Sequence, residues 1–263
     1  MKQIRKAVFT ILVMLCVVAL ITVAMTSRQH AQKQTQENLK GRETREALVA
    51  DVFDIAPETT TGEERARRKA KNKRYEKGGP DAKRLVELPP NVGAGRVEHT
   101  SDIPPLPVAL SDAIVLGTVT KIQPYLTEAE TSIYSEFTIT IEEVFKNDEN
   151  GSPFVGKTIV VDREGGALRL SNGRVLRYEV SGMGKLPRLG RQYVFFLKRI
   201  NEGQDVSILS GYELRGGRVF SLKGYSPFED TDITIFLDTI RRAVFDKGVS
   251  QSVGPSEPYV VSL

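Results

Sequence analysis

Residues 132–145 read SIYSEFTITIEEVF, and this stretch decides the fold class. Ile133, Phe137, Ile139 and Ile141 fall on odd positions, with Tyr134, Glu136, Thr138 and Thr140 between them. A period of two describes a β-strand with one buried and one wetted face. The phase slips at the adjacent Glu142 and Glu143, after which Val144 is apolar on an even position. An extra residue there predicts a β-bulge, which bends a strand as a small closed sheet requires.

Working outward, residues 113–122 (AIVLGTVTKI) form a second strand rich in Val, Ile and Thr. Gly117 in its middle predicts a bend or a close approach of another chain segment. Residues 147–153 (NDENGSP) make a loop, and 157–162 a short strand ended by Gly165-Gly166. Residues 174–180 alternate Leu176, Tyr178 and Val180; Pro187 and Gly190 mark a turn; residues 192–200 carry a VFFL centre suited to burial. Strands at 206–214 and 219–222 flank Arg215-Gly216-Gly217-Arg218, a hairpin signal. One helix follows at 231–247, with Ile233, Phe236, Leu237, Ile240 and Val244 at i, i+3, i+4, i+7 and i+11. Asp230 or Thr231 can cap it, Arg241, Arg242 and Lys247 suit its C-terminal dipole, and Gly248 can stop it. The expectation is a mainly β fold: a small closed or partly open barrel with one C-terminal packing helix, occupying 108–248, and a loose tail at 249–263.

The segments AIVLGTVTKI, YSEFTITIEEVFKN and GKTIVVDREGG together resemble the netrin-like modules, which include the tissue inhibitors of metalloproteinases. The resemblance covers residues 111–166. It implies an OB-fold barrel and a binding role, with protease inhibition as one form of that role. Those modules are rich in disulfides, and the inhibitors hold metal through an N-terminal cysteine. The only cysteine here is Cys16, so their inhibitory mechanism passes to no residue of this chain.

Upstream, residues 7–25 (AVFTILVMLCVVALITVAM) contain no charge and no proline. At about 1.5 Å per residue they reach roughly 28 Å, close to the hydrocarbon thickness of a bilayer. Lys2, Arg5 and Lys6 precede them and place residues 1–6 in the cytoplasm and the rest outside. A single-pass anchor is expected, with Cys16 facing lipid. The alternative is a signal peptide cleaved near Ala24, after Thr22-Val23-Ala24.

Residues 26–107 are dominated by Gln, Glu, Lys, Arg and Thr and are expected to form a basic, largely disordered linker. A short amphipathic helix at 44–53 is suggested by Leu48, Val49, Val52 and Phe53, and Pro89-Pro90 and Pro104-Pro105 stiffen the approach to the domain. The most biased piece, ERARRKAKNKRYEK at 64–77, holds Arg65, Arg67, Arg68, Lys69, Lys71, Lys73, Arg74 and Lys77. These eight cations are candidates for contact with an anionic surface such as a cell-wall polymer, lipid head groups or nucleic acid; the plainer alternative is a solvated spacer. Residues 108–263 hold 18 basic and 20 acidic groups, so the basic pI of the chain belongs to its first 107 residues. That distribution disfavours a nucleic-acid-binding domain.

Residues 108–263 contain no His, Cys or Trp; His30 and His99 lie in the linker. Ser-His-Asp and Cys-His catalysis, ordinary zinc sites and histidine- or cysteine-held haem are thereby excluded from the domain. Ser181-Gly-Met-Gly-Lys185 lacks a P-loop's first glycine, which would fall at Glu179, and Leu186 replaces its hydroxyl. A Ser181/Lys185 nucleophile–base pair is conceivable. The carboxylate groups Glu142/Glu143, Asp162/Glu164 and Glu229/Asp230/Asp232 have structural readings, and Arg163, Arg169, Arg174, Arg177, Arg188 and Arg191 form a cationic face only if their strands adjoin. No cofactor and no metal is expected. The sequence points to a non-catalytic envelope protein, held to a membrane by one N-terminal span, whose barrel binds an unknown protein or envelope polymer. A carboxylate-based hydrolase of envelope polysaccharide is the alternative.

Overall fold

The chain divides into two units, Met1–Ala50 and Asp51–Leu263. A computed structural model describes residues 52–54, 61–76, 84–89, 92–97, 103–147, 156–181, 184–200, 205–224 and 226–252, all in the second unit. The expected anchor at 7–25 and Lys77 lie outside the described residues, as does most of the 44–53 helix. No described helix is long and apolar enough to cross a membrane.

The long strands β3 (Ala113–Leu126) and β4 (Ile133–Asn147) pair as an antiparallel hairpin. They are followed by β5 (Thr158–Glu164), the hairpin β6 (Gly166–Arg169) and β7 (Val175–Ser181), and then β8 (Gln192–Ile200), β9 (Asp205–Arg215) and β10 (Arg218–Ser221). The larger sheet runs β10-β9-β5-β4-β3-β8, and β8 also pairs with β9. The pairings β3-β4-β5-β9-β8 therefore return to β3. The β5–β9 link is parallel and rests on one residue pair, Asp162↔Ser207; the other links are antiparallel.

Alternation explains which side chains enter this circuit. Phe137, Ile139 and Ile141 of β4 share a core with Val115, Val119, Val161, Tyr193, Phe195, Leu197 and Ile208. The bulge expected at Glu142–Glu143 is present: the register passes from Leu116↔Glu143 to Gly117↔Ile141, leaving Glu142 over. Gly117 serves the close approach anticipated for it, since a Cβ there would lie 2.6 Å from both Ile139 Cγ2 and the Thr140 carbonyl oxygen. Pro124 sits in β3 beyond residues 113–118, the part that β8 pairs, so its missing N–H costs no ladder bond on that side.

A second core lies outside the circuit. Helix α2 (Ile233–Ser252) sets Phe236 and Ile240 against Ile114, Val194, Phe196, Tyr212 and Val219. Its N-terminal amides are capped by Asp232, whose Oδ1 accepts from Thr234 N (2.8 Å). The cap is therefore neither Asp230 nor Thr231, and Asp230 takes a left-handed turn at φ 60°. Gly248 does not stop α2, which continues to Ser252. The Gly216-Gly217 pair turns β9 into β10 with both φ positive, as a two-residue hairpin needs.

Within 26–107, the stretch expected as a linker, the described residues form regular elements. Strand β1 (Phe53–Asp54) pairs with β6, β2 (Ala94–Val97) pairs with β7, and these four strands form a separate sheet, β1-β6-β7-β2. Phe53 is thus extended, not helical. A 3-10 turn at Leu85–Glu87 buries Leu85 against Leu168, Leu176 and Tyr178, and Arg174 donates to the carbonyls of Leu85, Val86 and Leu88. Helix α1 (Gly62–Tyr75) completes the described elements.

Because Gly117 has no room for a methyl group, Gly117→Ala is expected to destabilise the domain by about 1–3 kcal/mol. Urea unfolding checks this; an unchanged midpoint would contradict the packing described for β3 and β4.

Candidate functional site

The outer face of the circuit carries the site. Side chains that alternate with the core residues of β4 and β5 point away from it, so Tyr134 and Glu136 of β4 share a face with Asp162 of β5. Glu136 and Asp162 are direct register partners, and Asp162 is in turn paired with Ser207 of β9. Asp205, two residues before Ser207, joins the same face. Like charges directly opposite one another destabilise a sheet. Three carboxylates gathered from three strands therefore need a cation.

Helix α1 supplies it. The helix starts at Thr61, whose Oγ1 accepts from Glu64 N (3.4 Å), with Glu63 and Glu64 in its first turn and Lys73 and Arg74 in its last. Arg67, Lys71 and Arg74 lie at i, i+4 and i+7 and so on one face. The Lys71 ammonium, with its side chain 1% exposed, stands 2.5 Å from Glu136 Oε1, 3.1 Å from Asp162 Oδ2 and 3.6 Å from Asp205 Oδ1. Arg74 Nη2 donates to Asp162 Oδ2 (2.5 Å), and its Nη1 lies 3.5 Å from Asp205 Oδ2. Arg67 Nε donates to Asp205 Oδ1 (3.2 Å). Three cations thus face three carboxylates. Asp162 is 0% exposed and also accepts from the Tyr75 hydroxyl (2.6 Å) and from Ser207.

A column of rings runs beside the charges. Tyr125 and Tyr134, register partners on β3 and β4, stack at 5.3 Å, and Tyr75 of α1 stacks on Tyr134 at 5.0 Å. Arginines close both ends, Arg68 over Tyr125 (4.6 Å) and Arg74 over Tyr75 (4.7 Å). Burial first, and then the charge of Asp162, push the Tyr75 hydroxyl far above the ordinary tyrosine value; burial and then Glu136 do the same to Tyr134. Tyr75 therefore remains a hydrogen-bond donor. Burial opposes the charge on Arg74, but Tyr75, Asp162 and Asp205 outweigh it and hold its pKa above the arginine norm.

Next to the cluster, between α1 and the strands, opens a cleft of about 240 Å³ whose lining includes Arg67, Arg68, Lys121, Gln123, Tyr125 and Glu136.

Of the eight cations singled out in the sequence, Arg67, Lys71 and Arg74 turn onto the protein's own carboxylates. Arg68 lies on Tyr125 and pairs with Glu64 (3.6 Å), while Arg65, Lys69 and Lys73 are exposed. The solvated-spacer reading is corrected by the 62–75 helix and its buried lysine. The other candidates do not converge. Lys185 is exposed, and the Ser181 side chain lies outside the described residues. Glu142 accepts from Thr118 and Gln192, Glu143 from Arg241, Glu164 from Tyr178, and Glu229 from the amide of Ser221. Arg163 is buried and Arg174 holds the 3-10 turn, so the six arginines do not form one exposed face; Arg169 and Arg177 alone share a side of the β6–β7 hairpin by register. Among the described residues, no group of three His, Cys, Asp or Glu is placed to hold a metal. The cluster partners Glu136, Asp205 and Tyr75 were not anticipated. The signal available was Thr61-Gly-Glu-Glu64, a capping-box pattern, followed by basic residues at a helical spacing.

Compared with known proteins, the chain matches no protein-family model and no curated protein.

Removing one partner of a buried ion cluster costs about 3–5 kcal/mol, whereas an exposed lysine changes stability by about 0.5 kcal/mol or less. Lys71→Ala is therefore expected to lower the urea midpoint far more than Lys73→Ala; equal effects would contradict the buried placement of Lys71. A second expectation concerns alkali. The folded state keeps Tyr75 and Tyr134 protonated while the unfolded chain ionises them at its ordinary value of 10.0, so stability is lost as pH rises above that value. Phenolate absorbance from these residues should appear together with unfolding. Ionisation of every tyrosine near that value in a still-folded domain would contradict it.

Proposed function

We propose that this chain is a membrane-anchored, extracytoplasmic binding protein, non-catalytic, whose domain is an OB-type barrel. The barrel reading is supported by the strand circuit. Numbered in chain order, its five strands run 1-2-3-5-4-1, with one parallel link between the third and the fifth, as in the five-stranded, partly open OB barrel. The anchor reading is supported by the 19 uncharged residues at 7–25 behind Lys2, Arg5 and Lys6.

One observation carries the non-catalytic reading. The place where acidic residues converge is neutralised side chain for side chain: Glu136, Asp162 and Asp205 face Arg67, Lys71 and Arg74, and Tyr75 and Ser207 take up further lone pairs of Asp162. Carboxylates that cleave glycosides must reach substrate and exchange a proton. While α1 is docked, these are held by the protein's own cations. What the same face offers is recognition: a cleft of about 240 Å³ with guanidinium, ammonium and phenol groups at its walls.

The expected outcome is that a C-terminally tagged full-length chain fractionates with membranes at full size, is cut by protease added from outside, and hydrolyses none of a broad panel of glycosides, esters and peptides. A soluble, protease-protected chain would overturn the localisation. Turnover that disappears with Asp162→Asn would overturn the non-catalytic reading.

A further inference from the structure

Helix α1 is an unusual occupant for the face it covers. Its sequence, GEERARRKAKNKRY, offers two alanines and one tyrosine as its only apolar surface. A helix that is polar all round is not held by burial of an apolar stripe, and 14 residues in isolation are marginal as a helix in water. It keeps its place through Arg67, Lys71, Arg74 and Tyr75. Their partners all belong to the barrel: Glu136, Asp162 and Asp205 for the charges, and Tyr134, itself stacked on Tyr125, for the ring. The fit is also incomplete. The Tyr134 hydroxyl and Asn72 Oδ1 are buried and make no hydrogen bond among the described residues. Buried polar atoms normally find partners. An occupant that left fewer of them unmet would compete with α1.

We infer that the trough formed by Glu136, Asp162, Asp205, Tyr125 and Tyr134 is a docking site for a basic helical segment of a partner protein, and that α1 is its occupant in cis. This rests on the binding-protein reading above and names the class of partner. The segment recognised has cations at i, i+4 and i+7 and an aromatic residue at i+8, the pattern α1 presents. Such recognition is helix-in-groove binding in which charge and ring stacking replace the usual apolar anchors. While α1 is docked, a partner meets a site only fractionally open, and its apparent affinity falls by that fraction.

The test uses the full chain in detergent and a fluorescent peptide of residues 61–76. A variant with Arg67→Ala, Lys71→Ala and Arg74→Ala disables the helix in cis. It is expected to bind the peptide saturably and at least tenfold more tightly than the unaltered chain does. A peptide carrying Lys71→Glu should bind at least tenfold more weakly. In the unaltered chain, excess peptide should accelerate amide exchange through residues 62–75 while β3, β4 and β5 stay protected. If the triple variant does not fold, this exchange measurement decides alone. Equal binding of the Lys71→Glu peptide, or no change in α1 exchange at saturating peptide, would overturn the proposal. Neither result bears on membrane attachment or on the absence of turnover, which the fractionation and hydrolysis assays read separately.

Discussion

The buried ammonium of Lys71 is the constraint on which the site depends. Glu136 and Asp162 face each other across β4 and β5, and Asp205 stands close by on β9. Their mutual repulsion would grow as water is excluded, because the effective dielectric falls. A buried cation with three carboxylate neighbours removes that penalty, and Arg67 and Arg74 complete the neutralisation. Desolvating charges is costly, so a single buried pair adds little net stability. Here hydrogen bonds to Asp162 from Tyr75, Ser207 and Arg74 occupy the remaining lone pairs, which is the condition under which burial of ions is tolerated. The cluster thereby fixes where α1 sits more than it adds to overall stability.

The core enclosed by the strand circuit makes the constraint possible. Alternation along β4 sends Phe137, Ile139 and Ile141 inward, and so sends Tyr134 and Glu136 outward in the same strand. The bulge at Glu142 and the close approach at Gly117 bend β3 against β4, and β8 and β9 pair across the gap that remains. With β5 contributing Asp162 and β9 contributing Asp205, three strands deliver acidic groups to one trough. Helix α2 is excluded from that role because its apolar stripe is spent on Phe196, Tyr212 and Val219 on another side of the circuit.

Much of the fold was legible in the sequence. Strand β4, its bulge, β8, the Gly216-Gly217 turn and the body of α2 all follow from apolar periodicity and turn chemistry, which are local signals. Helix α1 was not legible by the same means, since its inward face is made of Arg67, Lys71 and Arg74 and carries no apolar period. Its cap at Thr61 and Glu64 was written in the sequence, but the acidic trough that gives those cations a destination is assembled from β4, β5 and β9, residues 136 to 205. The separate sheet was missed for a related reason. Strands β1, β2 and β6 are two to four residues long, and two of them pair in parallel with partners far along the chain. In sequence Asp162 stands two residues from Glu164, whereas the partners that matter are Glu136 across the sheet and Lys71 from the helix.

A double-mutant cycle between Lys71 and Asp162 shows whether the cluster holds α1, with Lys71→Met and Asp162→Asn measured singly and together by equilibrium unfolding. Residues in one buried ionic network couple by about 0.5–3 kcal/mol, whereas independent sites add to within about 0.5 kcal/mol. A coupling of about 1.5 kcal/mol or more is expected, with the double variant more stable than the sum of the single losses allows. Simple additivity would mean that α1 is not held by this cluster.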